Sequence, residues 1–126
     1  MEPPAKPPLE VQVFGVRKSA DTRAALRYFA ERRIKTHFVD LNERAASLGE
    51  LQRFAQKFGV AALVDRDSKR FAALGLASAR LSDERWLEQL SLEPALLRVP
   101  LTRHQRELTI GLAPDTWAAW IERSRA

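Results

Sequence analysis

The chain of 126 residues contains no cysteine. That absence removes disulfides, thiolate metal sites and thiol catalysis together. Histidine is scarce: His37 and His104 stand far apart, with no acids at metal-binding spacing, so no metal site is expected. The acids, Asp115 and Glu122 among them, form no evident catalytic pair. Long apolar runs are also missing, and nothing approaches the ~18 apolar residues that read as a membrane span. The first ten residues, MEPPAKPPLE, lack the apolar core of a secretory signal. The expectation is a cytoplasmic protein with no membrane partner. Prolines 3, 4, 7 and 8 make residues 1–9 an extended, flexible arm. Residues 10–126 then form a single domain.

Hydrophobic residues make up 45% of the chain, enough for a packed core at this size. The formal charge is +5, with Arg supplying most of the 21 cations. This balance admits anionic partners without demanding them. The cations are interspersed among 16 acids, so a mixed solvated surface is favoured and a nucleic-acid partner is not.

The run VQVFGV at 11–16 reads as a buried strand ending near Gly15. Ser19 is a good helix N-cap, and Asp21 falls in the first turn, where the helix dipole favours an acid. Ala25, Leu26, Phe29 and Ala30 share one helical face. IKTHFVDL at 34–41 is a second strand, so the first forty residues spell β-α-β with parallel strands. Leu48, Leu51, Phe54, Ala55 and Phe58 repeat at helical spacing, and Gly59 stops them. Shorter helices are expected at 68–74 and from Ser82, the second with Trp86, Leu87 and Leu90 inward. ALLRVPLT at 95–102 and RELTIG at 106–111 read as two strands joined through His104-Gln105. Pro100 marks an edge, a bend or a cis bond. A last helix begins near Pro114 and buries Trp117, Trp120 and Ile121. The order βαβ, helical insertion, ββα is a thioredoxin-like α/β arrangement, with a mixed four-stranded sheet flanked by helices.

The residues also carry a resemblance. VQVFGVRKSADTRAALRYFAERRIKTHFVDL, LVDRDSKRFAALGL, LSDERWLEQLSLEPALLRVPLT and LTIGLAPDTW follow one another as in the arsenate reductase (ArsC), Spx and YffB group of thioredoxin-like proteins. The likeness spans residues 11–124, and it is the order and spacing of the pieces that make it specific. It implies a cis bond before Pro100, facing the loop that ends at Ser19. It also implies functional positions that this chain does not fill. The family's redox cysteine falls on Ser19, and the second position of a Cys-x-x-Cys pair falls on Thr22. The oxyanion-binding arginines fall on Asp65, on Val99 (with Arg98 beside it) and on Leu112.

Two readings of the loop at 15–23, GVRKSADTR, stay open. Ser19 and the first-turn N–H groups could hold an anion, with Arg17, Lys18 and Arg23 adding positive potential. Alternatively Ser19 caps the helix and the cations are solvated. The residues that would form a vestigial site are Ser19, Thr22, Arg17, Lys18, Arg23, Arg98 and Pro100. The resemblance without the thiol implies a redox-inactive, non-enzymatic module with no cofactor and an unidentified protein partner. Spx proteins act by binding RNA polymerase, so a transcription-linked partner is one form of this. The alternative is a binder of glutathione or a small oxyanion on the 17–23 loop. A nucleic-acid binder is the weaker alternative.

Overall fold

A computed structural model describes residues 9–125. Four strands form one sheet: β1 (Glu10–Gly15), β2 (Lys35–Asp40), β3 (Leu101–His104) and β4 (Glu107–Ile110). Their order across the sheet is β2-β1-β3-β4; β2 runs parallel to β1, and the other pairings are antiparallel. Five helices surround it: α1 (Ala20–Glu31), α2 (Leu48–Phe58), α3 (Lys69–Ala73), α4 (Asp83–Leu92) and α5 (Pro114–Arg125). The architecture is the thioredoxin-like one expected from the sequence, and the Val99–Pro100 bond is cis.

Alternation along β1 divides the core in two. Val11 and Val13 face α1 and α5, where they meet Ala25, Phe29, Trp117, Trp120 and Ile121. Phe14 points the other way, into Leu51, Phe54, Leu63, Leu90 and Leu96 beneath α2 and α4. Burial of each large apolar side chain contributes about 1.5–3 kcal/mol before entropy is counted. The Trp117 indole N–H donates to Thr109 Oγ1 at 2.9 Å, so a buried polar handle on β4 fixes how α5 sits.

The helix starts read at Ser19, Ser68 and Ser82 are all capped, and Ser47, which the sequence reading did not single out, caps α2: each serine accepts a backbone N–H three residues on. At α2 the cap is reciprocal: Glu50 returns a bond to the Ser47 N–H, forming a capping box.

Four details differ from the sequence reading. The stretch 95–102 is not one strand, because Pro94–Leu96 is a 3-10 turn and β3 begins only at Leu101. Pro100 has no N–H to give a ladder. The preceding residues pair elsewhere: Asp65 N–H donates to Leu96 O at 2.7 Å, and Arg98 N–H donates to Leu63 O at 2.8 Å. In the hairpin, His104 belongs to β3 opposite Glu107, so the turn is Gln105-Arg106, with Gln105 at a φ of 54°. On α1 the inward face is Thr22, Ala25 and Phe29, while Ala30 is exposed. Residues 1–8 of the arm lie outside the described residues, but Leu9, counted with them, is buried against α5 and belongs to the domain.

Candidate functional site

The turn from β1 into α1 is tightly specified. Ser19 N–H donates to Val16 O at 3.0 Å, closing a turn over Arg17-Lys18. Ser19 Oγ accepts the Thr22 N–H at 3.1 Å, and Ser19 O accepts the Arg23 N–H at 3.1 Å, starting the helix. Both oxygens of Ser19 are therefore engaged in the cap.

Ser19 opens onto a cleft of about 640 Å³. The far wall comes from two segments, 61–67 and 94–99, tied together by an antiparallel bridge between Val64 and Leu97. Asp65 stands on that wall with its carboxylate in use: Oδ1 accepts the Asp67 N–H at 3.1 Å. Its carbonyl oxygen accepts the Ser68 hydroxyl at 2.8 Å, leading into α3. Asp21, Asp65 and Asp67 line the cleft against two cations, Arg66 and Arg98. The Arg66 guanidinium lies 5.6 Å from the Phe71 ring centroid. Carboxylates outnumber cations where an anion would have to bind.

The residues singled out from sequence divide accordingly. Ser19, Asp65, Arg98 and Val99 share the cleft. Arg17 leans away, 3.6 Å from Asp40 and 5.0 Å from the Phe38 ring centroid. Arg23 folds back on the loop, its Nη1 donating to Arg17 O at 2.7 Å and Lys18 O at 3.0 Å. Lys18 is exposed and does not line the cleft. Thr22 is fully buried beneath the loop against Gly15, with no partner for its hydroxyl. Pro100 is buried behind Val99, and its carbonyl accepts the Gly111 N–H at 2.8 Å. Leu112, next to Gly111, is half-exposed.

Sequence reasoning missed three charged members of the cleft: Asp21, Arg66 and Asp67. Asp21 was legible only as a partner for the helix dipole. The run Asp65-Arg66-Asp67 was visible, but nothing local placed it opposite Ser19. The histidines sit at the other end of the sheet, where His37 Nε2 lies 3.3 Å from Glu10 Oε2 and His104 Nδ1 lies 3.2 Å from Glu10 O. Among the described residues no three His, Cys, Asp or Glu are placed to hold a metal ion. None of the described helices is long and apolar enough to cross a membrane.

The sheet order, the capped α1 and the cis-proline loop beside it define a thioredoxin-like domain with its cleft at the usual end. The model of the ArsC family matches residues 14–120, and the chain belongs to that family. Solved structures agree on the fold. An arsenate reductase from Vibrio cholerae superposes with a TM-score of 0.78 at 21% identity, covering 90% of this chain and 98% of that one. A YffB protein gives 0.79 at 19% identity, covering 86% and 96%. An arsenate reductase-related protein from Brucella melitensis gives 0.66 at 18% identity, covering 90% and 95%. No curated protein matches the chain.

Proposed function

We propose that this chain is a non-enzymatic member of the ArsC family, without arsenate reductase activity, that acts by binding a protein partner. One observation carries the reading: the α1 N-cap is a serine whose Oγ is spent on the Thr22 N–H, facing a wall that bears Asp65 and Asp67. Thiol-dependent reduction of arsenate needs a thiolate that forms a covalent adduct and then a disulfide. The chain has no cysteine to supply either. A serine hydroxyl cannot be oxidised to a disulfide, and no histidine lines the cleft to act as its base. The far wall sets Asp65 and Asp67 against Arg66 and Arg98, so it offers an oxyanion no net positive charge. Binding of glutathione or an oxyanion through the 17–23 loop has less support, because Arg17 is drawn to Asp40 and Arg23 to loop carbonyls. Leu112, half-exposed and next to Gly111 of the cleft lining, could give a partner protein one apolar contact.

The test has two arms. Arsenate, glutathione, glutaredoxin and NADPH are supplied to the wild type and to Ser19→Cys, and NADPH oxidation is followed. Neither protein is expected to turn over, since the variant restores a thiol but leaves the acids. Arsenate-dependent turnover by the wild type defeats the non-enzymatic reading. In the second arm, wild type and Leu112→Asp are used in parallel to capture partners from native lysate. A stoichiometric protein retained by the wild type and lost by the variant is expected; if neither protein retains one, the partner reading falls.

A further inference from the structure

The sequence scatters its cations, but the fold gathers four of them. The C-terminal half of α2 and the β3–β4 hairpin meet at the end of the sheet opposite Ser19, since Arg103 pairs with Gln12 near the start of β1. Between them lies an open groove of about 490 Å³ lined by Arg53, Lys57, Arg103 and Arg106, with Gln56 and Gln105. No carboxylate lines it. The nearest acids along the chain are already held, Glu50 by Arg44 at 3.2 Å and Glu107 by Arg123 at 2.7 Å. Arg53 and Arg106 are exposed and enter no ion pair among the described residues. Arg103 is steadied by donating from Nε to Gln105 O at 2.7 Å, which leaves the rest of its guanidinium for a ligand.

We infer that this groove binds the phosphate backbone of a nucleic-acid duplex. The chemistry of the lining selects that occupant over an acidic protein. Protein interfaces are anchored by exposed aromatic and apolar side chains. Here no aromatic lines the groove, and its one apolar member, Leu108, is buried. Phosphates need only charge and hydrogen-bond donors, and Arg, Lys and Gln are the side chains that supply them. No lining side chain is an aromatic on which an unpaired base could stack, so a duplex is the expected occupant over a single strand. This role is separate from the partner reading of the Ser19 cleft, at the other end of the sheet.

The test is fluorescence anisotropy with a labelled duplex of arbitrary sequence and, in parallel, a glutamate-rich peptide of equal charge. Four phosphate contacts give a slope of log affinity against log salt near −3.6, which is a loss of about 100-fold between 50 and 200 mM salt. Arg53→Gln with Arg106→Gln should reduce that slope to about −1.8, at roughly 0.9 per phosphate contact. Arg85→Gln, on exposed α4 outside the groove, removes the same unit of charge as either single change and should leave binding near the wild-type value. The inference is overturned if the duplex fails to bind at the lower salt, or if the double variant binds like the wild type. It is also overturned if the acidic peptide binds as tightly as the duplex, which would make the occupant a protein.

Discussion

Replacing Gly15 with alanine would place a Cβ 2.5 Å from Oγ1 and 2.6 Å from Cγ2 of Thr22. Neither atom can retreat easily. Thr22 is fully buried, and its own Cβ would already stand 3.1 Å from the new carbon. A rotamer change does not help, because two of the three staggered positions on a threonine Cβ are filled in any rotamer. Gly15 does not need the glycine-only region of backbone space, so the cost is purely steric. Overpacking of this kind costs typically 1–3 kcal/mol, and the lowered entropy of the unfolded chain returns roughly 0.5 kcal/mol. The expected net loss is about 1.5 kcal/mol, a fall in Tm on the order of 5 °C for a domain of this size. Thr22→Ala removes both clashing atoms together with a buried hydroxyl that has no partner. It should therefore be close to neutral by itself, and it should reduce the Gly15→Ala cost to under about 0.5 kcal/mol. Urea unfolding of the four proteins closes the double-mutant cycle, with a coupling of about 1 kcal/mol expected. A Gly15→Ala protein as stable as the wild type would refute the packing argument, as would penalties that simply add. The contact matters beyond stability, because it seats the first turn of α1, and with it Ser19, on the end of β1.

Two further outcomes follow from the caps. Ser19→Ala removes the acceptor for the Thr22 N–H and should cost about 1 kcal/mol in urea melts, whereas Ser19→Asn, which keeps an acceptor, should cost much less. Glu50 is partly buried, which opposes its ionisation; the Ser47 N–H and Arg44 outweigh that and hold its pKa below the usual carboxylate value. Its contribution is thus complete above the unfolded-state pKa and is lost as pH falls through the lowered folded value. Glu50→Gln keeps the capping-box acceptor but cannot titrate, so its stability should fall less steeply from pH 5 to pH 3 than that of the wild type.

The legible parts of the fold were those whose signals are local. Ser19, Ser68 and Ser82 marked three helix starts, and the run from Val11 to Phe14 marked the central strand. The stretch before Pro100 misled for the same reason: Leu96, Leu97 and Arg98 have strand character, but they spend it on residues 63–65, more than thirty positions earlier. That pairing also brings Asp65 and Asp67 opposite Ser19. The cleft could therefore be read only in part, through the positions that the family resemblance supplied. The cationic groove had no signal at all, because Arg53 and Arg106 are joined only by the packing of α2 against β4.

A chain of formal charge +5 thus lines the cleft beside Ser19 with three carboxylates and two cations. The cationic groove lies near the start of β1, and Ser19 lies just past its end. Arg103 is level with Gln12, three strand residues before the end of β1, or about 10 Å at about 3.3 Å each. The Debye length at physiological salt is about 8 Å, so screening cuts the groove's potential to roughly a third across that distance. An anion approaching Ser19 meets three carboxylates, Asp21, Asp65 and Asp67, against two cations, Arg66 and Arg98. The positive charge is thus gathered in the groove, while the cleft beside Ser19 carries more carboxylates than cations.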